Sequence, residues 1–252
     1  DKWSKNAEEA LRNQTKPVVR LRLKDLQSSP VDWKKFSFKK PERLSLNEKK
    51  TPYKHQQAAI DQVVEGFQRE DRGKLIMACG TGKTFTSLKI AEEMVPKNGK
   101  ILFLLPSISL LSQTIREWSA ESEDMLHSFA VCSDTKVGKS SEDISIHDLA
   151  FPATTNVDRL AKQVGSFLEI KGLKVIFSTY HSIKVVSEAQ KKGLPDFDLV
   201  ICDEAHRTTG VTLADGDESH FVKVHDQDFI KAKKSFKLSS KNPRTLSDHN
   251  CT

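Results

Sequence analysis

Met77-Ala78-Cys79-Gly80-Thr81-Gly82-Lys83-Thr84 is the stretch whose reading decides the fold. It follows a short apolar run, Leu75 to Met77, and leads into a helix-like segment, Phe85 to Met94, so that glycines and a lysine fall at a strand-to-helix turn. Successive backbone N–H groups of such a turn face inward and make a concave anion site, which the positive end of the following helix strengthens. Cys79, Gly80, Thr81 and Gly82 would supply the loop backbone, with both glycines letting it wrap closely around phosphates. Lys83 would reach the β- and γ-phosphates, and the Thr84 hydroxyl would ligate Mg²⁺. The strict pattern places glycine where Met77 stands, so the loop needs support from elsewhere in the chain.

That support is Phe197-Asp198-Leu199-Val200-Ile201-Cys202-Asp203-Glu204-Ala205-His206. An apolar run ending in acids reads as a buried parallel strand that delivers carboxylates to its C-terminal edge, where open α/β sheets bind ligands. Asp203 is then placed to hold Mg²⁺ through water, and Glu204 to orient and deprotonate the water that attacks a γ-phosphate. An acid pair at a helix start can also be a simple cap, but the pairing with a GKT loop favours the nucleotide reading.

Taken together, Gly80-Thr81-Gly82-Lys83-Thr84 and Asp203-Glu204-Ala205-His206 resemble motifs I and II of superfamily-two helicases of the DEAH kind. The resemblance implies ATP and Mg²⁺ as cofactors, catalytic roles for Lys83, Asp203, Glu204 and His206, and a part for His206 and Arg207 in passing the nucleotide state to a second lobe.

Other segments extend it. After Thr51-Pro52-Tyr53 comes Lys54-His55-Gln56-Gln57 at the head of a segment with helical spacing to Phe67. This is similar to the adenine-reading Q motif, with Gln56 the better candidate and Gln57 remaining open. Pro106-Ser107 through Gln113-Thr114 resemble motif Ia, and Thr179-Tyr180-His181-Ser182 resemble motif Ib. In the family these turns hold the DNA backbone, which implies that Pro106, Ser107, Gln113, Thr179 and Tyr180 meet phosphates. The Asp-Glu-Ala-His-Arg-Thr-Thr-Gly string at 203–210 and the spacing His225-Asp226 to Phe229-Ile230 are most similar to type ISP restriction-modification enzymes. So is the order Arg20-Leu21, Asp25-Leu26, Ser29 to Trp33, which resembles the segment joining nuclease and motor there.

The bulk properties are compatible with this. A chain of 252 residues with 37% hydrophobic content can bury a full core. A net charge of +6 suits a polyanionic partner without requiring one. Four scattered cysteines lack metal-ligand spacing and read as core residues of a reducing cytoplasm. The longest apolar run, Ile101 to Leu105, is far too short for a membrane span. The chain begins at Asp1 without methionine, which suggests a fragment of a longer protein, and the resemblance implies a prokaryotic cytoplasm.

The expectation is therefore a RecA-like doubly wound parallel sheet, α/β, with helices on both faces and strands at 75–77, 101–105, 129–132, 174–178 and 199–202. Residues 51–234 would form the ATP-binding motor lobe, and residues 1–50 a basic N-terminal extension with a strand near Val18 to Leu23. In that extension Lys34, Lys35, Lys39, Lys40, Arg43, Lys49 and Lys50 form a basic run interleaved with Phe36 and Phe38, either a solvated face or a nucleic-acid contact. Residues 135–156 show no clean period, and 235–252 carry no motif III and read as an off-pattern tail, foreign to the lobe. By resemblance the partners are double-stranded DNA, a second RecA-like lobe, and nuclease and methyltransferase domains of the parent chain. Since the second lobe carries an arginine worth on the order of 10³ to 10⁵ in rate, the fragment should bind ATP yet hydrolyse it poorly. The alternatives are another superfamily-two repair or remodelling motor, a non-motor P-loop protein, or a plain nucleic-acid binding module.

Overall fold

The computed structural model describes residues 29–132, 153–203 and 228–240, together with Ser4, Asn6, Ala7, Ala10, Leu21 and residues 23–27. Its centre is a six-stranded, wholly parallel sheet, β1 (Arg72–Ile76), β2 (Lys100–Leu105), β3 (Leu126–Val131), β4 (Leu173–Thr179), β5 (Phe197–Cys202) and β6 (Ala232–Ser239), in the order β1-β6-β5-β2-β4-β3. Helices α1 (Lys54–Gly66), α2 (Lys83–Met94), α3 (Ile108–Glu121), α4 (Val157–Gly165) and α5 (Ile183–Lys191) pack on it. This is the RecA-like α/β fold.

The central strands follow from composition. Ile101 to Leu105 and Leu199 to Cys202 are uninterrupted apolar runs and are buried on both faces, as a parallel sheet covered by helices requires. Odd and even positions then serve different cores. Ile101, Phe103, Leu105, Val175 and Phe177 meet α1, α2 and α3 on one face, where Trp118 stacks edge-on against Phe103 and Phe177. Leu102, Leu104, Ile176 and Val200 meet α4 and α5 on the other. Helix starts are capped by the local sequence: Ser107 accepts from Leu110 N (3.3 Å) and Asn156 from Arg159 N (2.9 Å).

Four expected strands lie where the sequence placed them, with ends shifted by up to three residues, and the P-loop strand begins at Arg72 and stops at Ile76. The sixth strand was not foreseen. Residues 235–239, assigned to an off-pattern tail, lie in the middle of the sheet between the P-loop strand and the acidic strand, with Leu75 opposite Leu238 and Ile201 opposite Phe236. Residues 241–252 lie outside the described residues, as do 135–152. The expected strand near Val18 to Leu23 is not formed at its end, because Leu23–Gln27 is a helical turn.

The N-terminal extension closes a loop on itself before it reaches the lobe. Val31 and Leu46 form an antiparallel bridge, and Asn47 N donates to Pro30 O at 2.8 Å. The chain then docks at Lys49 and Lys50. Lys50 N donates to Glu121 Oε2 (2.7 Å), its ammonium lies 3.2 Å from Glu121 Oε1, and Lys49 Nζ donates to Ser122 O. The same corner holds Lys89 of α2, paired with Glu92 at 2.9 Å.

Candidate functional site

The site grows from the C-terminal end of β1. Met77 N donates to Ser239 O at 3.0 Å, which pins the loop's first residue to β6, and Thr81 closes a turn on Ala78 O through its hydroxyl (2.7 Å). Gly80 and Gly82 have φ of 77° and 84°, in the left-handed region that side chains avoid. A Cβ on Gly80 would point into open space, whereas one on Gly82 would meet Gln56 Nε2 at 2.3 Å. The loop thus presents an uncovered concave turn on one side and packs tightly against α1 on the other. Helix α2 starts at Lys83, so the positive end of its dipole points into that turn.

Gln56 is the strut behind the loop. It is buried, its Oε1 accepts from Tyr53 N (2.9 Å), and its Nε2 donates to Thr81 O (2.9 Å), an oxygen that His55 Nε2 also approaches at 3.3 Å. Of the two candidate glutamines, only this one touches the loop, since Gln57 is exposed and bonds Asp61 at 2.9 Å. A cleft of about 360 Å³ opens beside it, between α1 and β1, lined by His55, Ala58, Ala59, Gln62, Ile76 and Thr81 among others. Thr84 O accepts from Trp118 Nε1 (3.1 Å), which ties the first turn of α2 to α3. No motif pointed to that tie.

Asp203 follows the end of β5. Cys202 lies opposite Lys237 in the register, so the carboxylate stands two strands from β1, or roughly 10 Å across the sheet. Its backbone is held from both sides: Asp203 N donates to Leu104 O (2.9 Å), and Tyr180 Oη donates to Asp203 O (2.8 Å). Tyr180 is completely buried, and its ring and hydroxyl are committed to propping Asp203. Thr179 is also buried, its hydroxyl donating to Ser182 Oγ (3.2 Å). Ser107 is used as the cap of α3, Pro106 is half-buried, and Gln113 is exposed on the same helix. Glu204, His206 and Arg207 lie outside the described residues.

Next to Asp203, burial pushes the Cys202 thiol up to about 12, against the nearby Lys237 charge and the Tyr180 hydroxyl. It is an inert core residue at neutral pH. Among the described residues no three His, Cys, Asp or Glu side chains gather as a metal cage. Mg²⁺ bound with phosphate needs only one or two protein oxygens, and Thr84 with Asp203 fit that demand. Among the same residues no helix is long and apolar enough to cross a membrane.

Comparison with known proteins agrees with this layout. Residues 49–240 match the family described as type III restriction enzyme, res subunit, and residues 1–43 match one described as restriction endonuclease. A protein named "Probable helicase" from African swine fever virus (isolate Tick/Malawi/Lil 20-1/1983) is 31% identical over 156 residues, covering 62% of this chain and 16% of the viral protein. The ATP-dependent type ISP restriction-modification enzyme LlaBIII, solved bound to DNA, is 40% identical with a TM-score of 0.84, over 95% of this chain and 16% of that one. A nuclease-deletion mutant of the type ISP enzyme LlaGI, in complex with a DNA substrate mimic, is 38% identical with a TM-score of 0.63, over 76% of this chain and 18% of that one. The chain spans 16% of the length of the curated relatives it matches. With well over half its residues matched by the res-subunit model, the chain belongs to that family, and it is a RecA-like motor lobe of the superfamily-two helicases.

Proposed function

We propose that this lobe binds Mg·ATP in the turn at the end of β1 and works as the first half of an ATP-driven translocase on double-stranded DNA, within a single-chain restriction-modification enzyme. The observation that carries the reading is the pre-formed loop: two left-handed glycines, an α1 strut on Thr81 O, and a carboxylate two strands away. Lys83 and the loop amides bind the phosphates, Thr84 and Asp203 hold the metal, and Glu204 orients water. The metal's part is to neutralise charge on the phosphate oxygens. Gln56, whose carboxamide keeps one N–H and one lone pair beyond its two bonds, sits where a base in the neighbouring cleft can be read. His206 and Arg207 signal to a second lobe, and Pro106, Ser107, Gln113 and the Thr179 turn face the DNA backbone.

The restriction-endonuclease match at residues 1–43 favours this parent over a repair or remodelling motor. Methyltransferase and target-recognition modules would complete it.

The test is calorimetric titration of the chain with Mg·ATP, alongside Lys83→Ala and Asp203→Ala. Removing the lysine deletes charge-assisted bonds to phosphate and should weaken binding by at least tenfold. Asp203→Ala should weaken binding of Mg·ATP more than binding of ATP with EDTA. Equal affinity for wild type and Lys83→Ala would sink the nucleotide reading.

A further inference from the structure

The N-terminal loop between Pro30 and Asn47 contains a feature that the motor does not use. Three aromatic rings step outward along it. Trp33 is anchored by its indole N–H, which donates to Leu26 O (2.7 Å) and Ser29 Oγ (3.0 Å). Phe36 packs edge-on against it at 5.4 Å, and Phe38 edge-on against Phe36 at 5.0 Å. The outermost ring, Phe38, is 91% exposed. Local bonds hold this shape: Lys35 N donates to Asp32 O (3.0 Å), Lys40 N to Ser37 O (3.1 Å) and Arg43 N to Lys40 O (3.1 Å). From Asp32 to Arg43 the segment carries five cations against two acids, Glu42 and Asp32, the latter paired with Lys35 at 3.1 Å. All five are exposed.

A single exposed phenylalanine is ordinary, but an ordered aromatic ladder ending in a bare ring is a contact surface awaiting a partner. The charge decides which partner. Protein interfaces are depleted in lysine at their centres. Exposed rings set among lysines are instead the pattern of nucleic-acid grooves, where cations take phosphates and rings take base faces. We propose that this loop is a DNA-contacting prong, with Phe38 against bases and Lys39, Lys40 and their neighbours on the phosphate backbone, so that the lobe holds nucleic acid at a second place besides its motor turns. The surface lies at the C-terminal end of the restriction-endonuclease match, residues 1–43, just before the motor match begins at residue 49, and its contact does not depend on ATP.

The experiment is fluorescence anisotropy of the chain without nucleotide, against a labelled 30-mer as duplex and as single strand, over a salt series. The variants are Phe38→Ala, the pair Lys39→Gln with Lys40→Gln, and as a control the exposed pair Lys162→Gln with Lys171→Gln, all with melting curves to establish that they fold. The lysine pair should flatten the slope of log K against log salt by about 1.8 on duplex or about 1.4 on single strand, as two phosphate contacts do. Phe38→Ala should weaken binding on the order of tenfold with the slope unchanged. A loss confined to single strands identifies base stacking, and an equal loss on duplex identifies a groove contact. Wild type that does not bind DNA, or Phe38 and lysine variants that behave like the control, would overturn the proposal and leave the ladder as a protein contact. Loss of ATP binding in the calorimetry above would leave this result standing, so the two readings fail separately.

Discussion

At the scale of single residues, the two loop glycines separate strain from crowding. Gly80→Ala meets only the cost of a left-handed backbone, about 1 to 2 kcal/mol, because the space beside it is open. Gly82→Ala has the same backbone cost and also drives a methyl group into Gln56 Nε2, displacing the strut from Thr81 O. The expected outcome is that Gly82→Ala lowers Mg·ATP affinity at least tenfold more than Gln56→Ala alone, since it removes the bond and also misplaces the loop; titration of both variants checks this. The turn itself was legible because Gly80 and Gly82 stand where the backbone needs a left-handed φ between a strand and a helix. The sequence could not reveal that Tyr180 props Asp203 or that Trp118 holds Thr84, because such ties join residues 23 and 34 positions apart and obey no local period.

At the scale of elements, the strands divide by how plainly their surroundings marked them. β2 and β5 are apolar on both faces and were legible, whereas β6 reads Ala-Lys-Lys-Ser-Phe-Lys-Leu-Ser and hides its period behind lysines. Those lysines have structural partners: Lys233 Nζ bonds Asp198 Oδ1 at 2.8 Å, and Lys234 Nζ bonds Phe67 O. Lys237, half-buried beside Cys202, Lys74 and Arg72, has its ammonium pushed below the usual range, first by burial. The only signal of a strand was Phe236-x-Leu238 at period two. The join of β2, β5 and β6 at Asp198 yields a pH prediction. Burial would raise this carboxyl, but the Lys233 bond, the Lys100 N–H (2.8 Å) and the two lysine charges together hold it below the ordinary value. Its folded pKa is therefore depressed, so its stabilisation is present above the unfolded value near 3.9 and is lost as pH falls through the folded one. Asp198→Asn should cost about 1 to 3 kcal/mol at pH 7 and progressively less below about pH 4. Urea unfolding across pH measures this, and a difference that stays constant down to pH 2 would contradict it.

At the scale of the whole molecule, the two halves of the proposed nucleotide site sit on strands that do not touch. β1 carries the loop, β5 carries Asp203, and β6 alone bridges them. The segment that looked foreign in sequence thus sets the spacing between the glycine loop and the Asp203 carboxylate proposed to hold the metal. Phe236 is its keystone: 1% exposed, opposite Ile201 on one side and Gly73 on the other, and edge-on to Phe67 at 6.1 Å. Replacing it with alanine opens a cavity between both halves and should cost about 3 to 5 kcal/mol. That loss is comparable to the whole margin of a marginally stable domain. Phe129 offers a comparison, since it lies half-buried on the far edge strand β3, away from both halves of the site. Phe129→Ala should cost less, and what remains folded should keep wild-type affinity for Mg·ATP. Phe236→Ala, in its folded fraction, should bind Mg·ATP more weakly, because loop and carboxylate are no longer held at one spacing. Urea melts give the stability difference and calorimetry at low temperature gives the affinity. Equal affinity in the two folded variants would mean that β6 supports the sheet without registering the site.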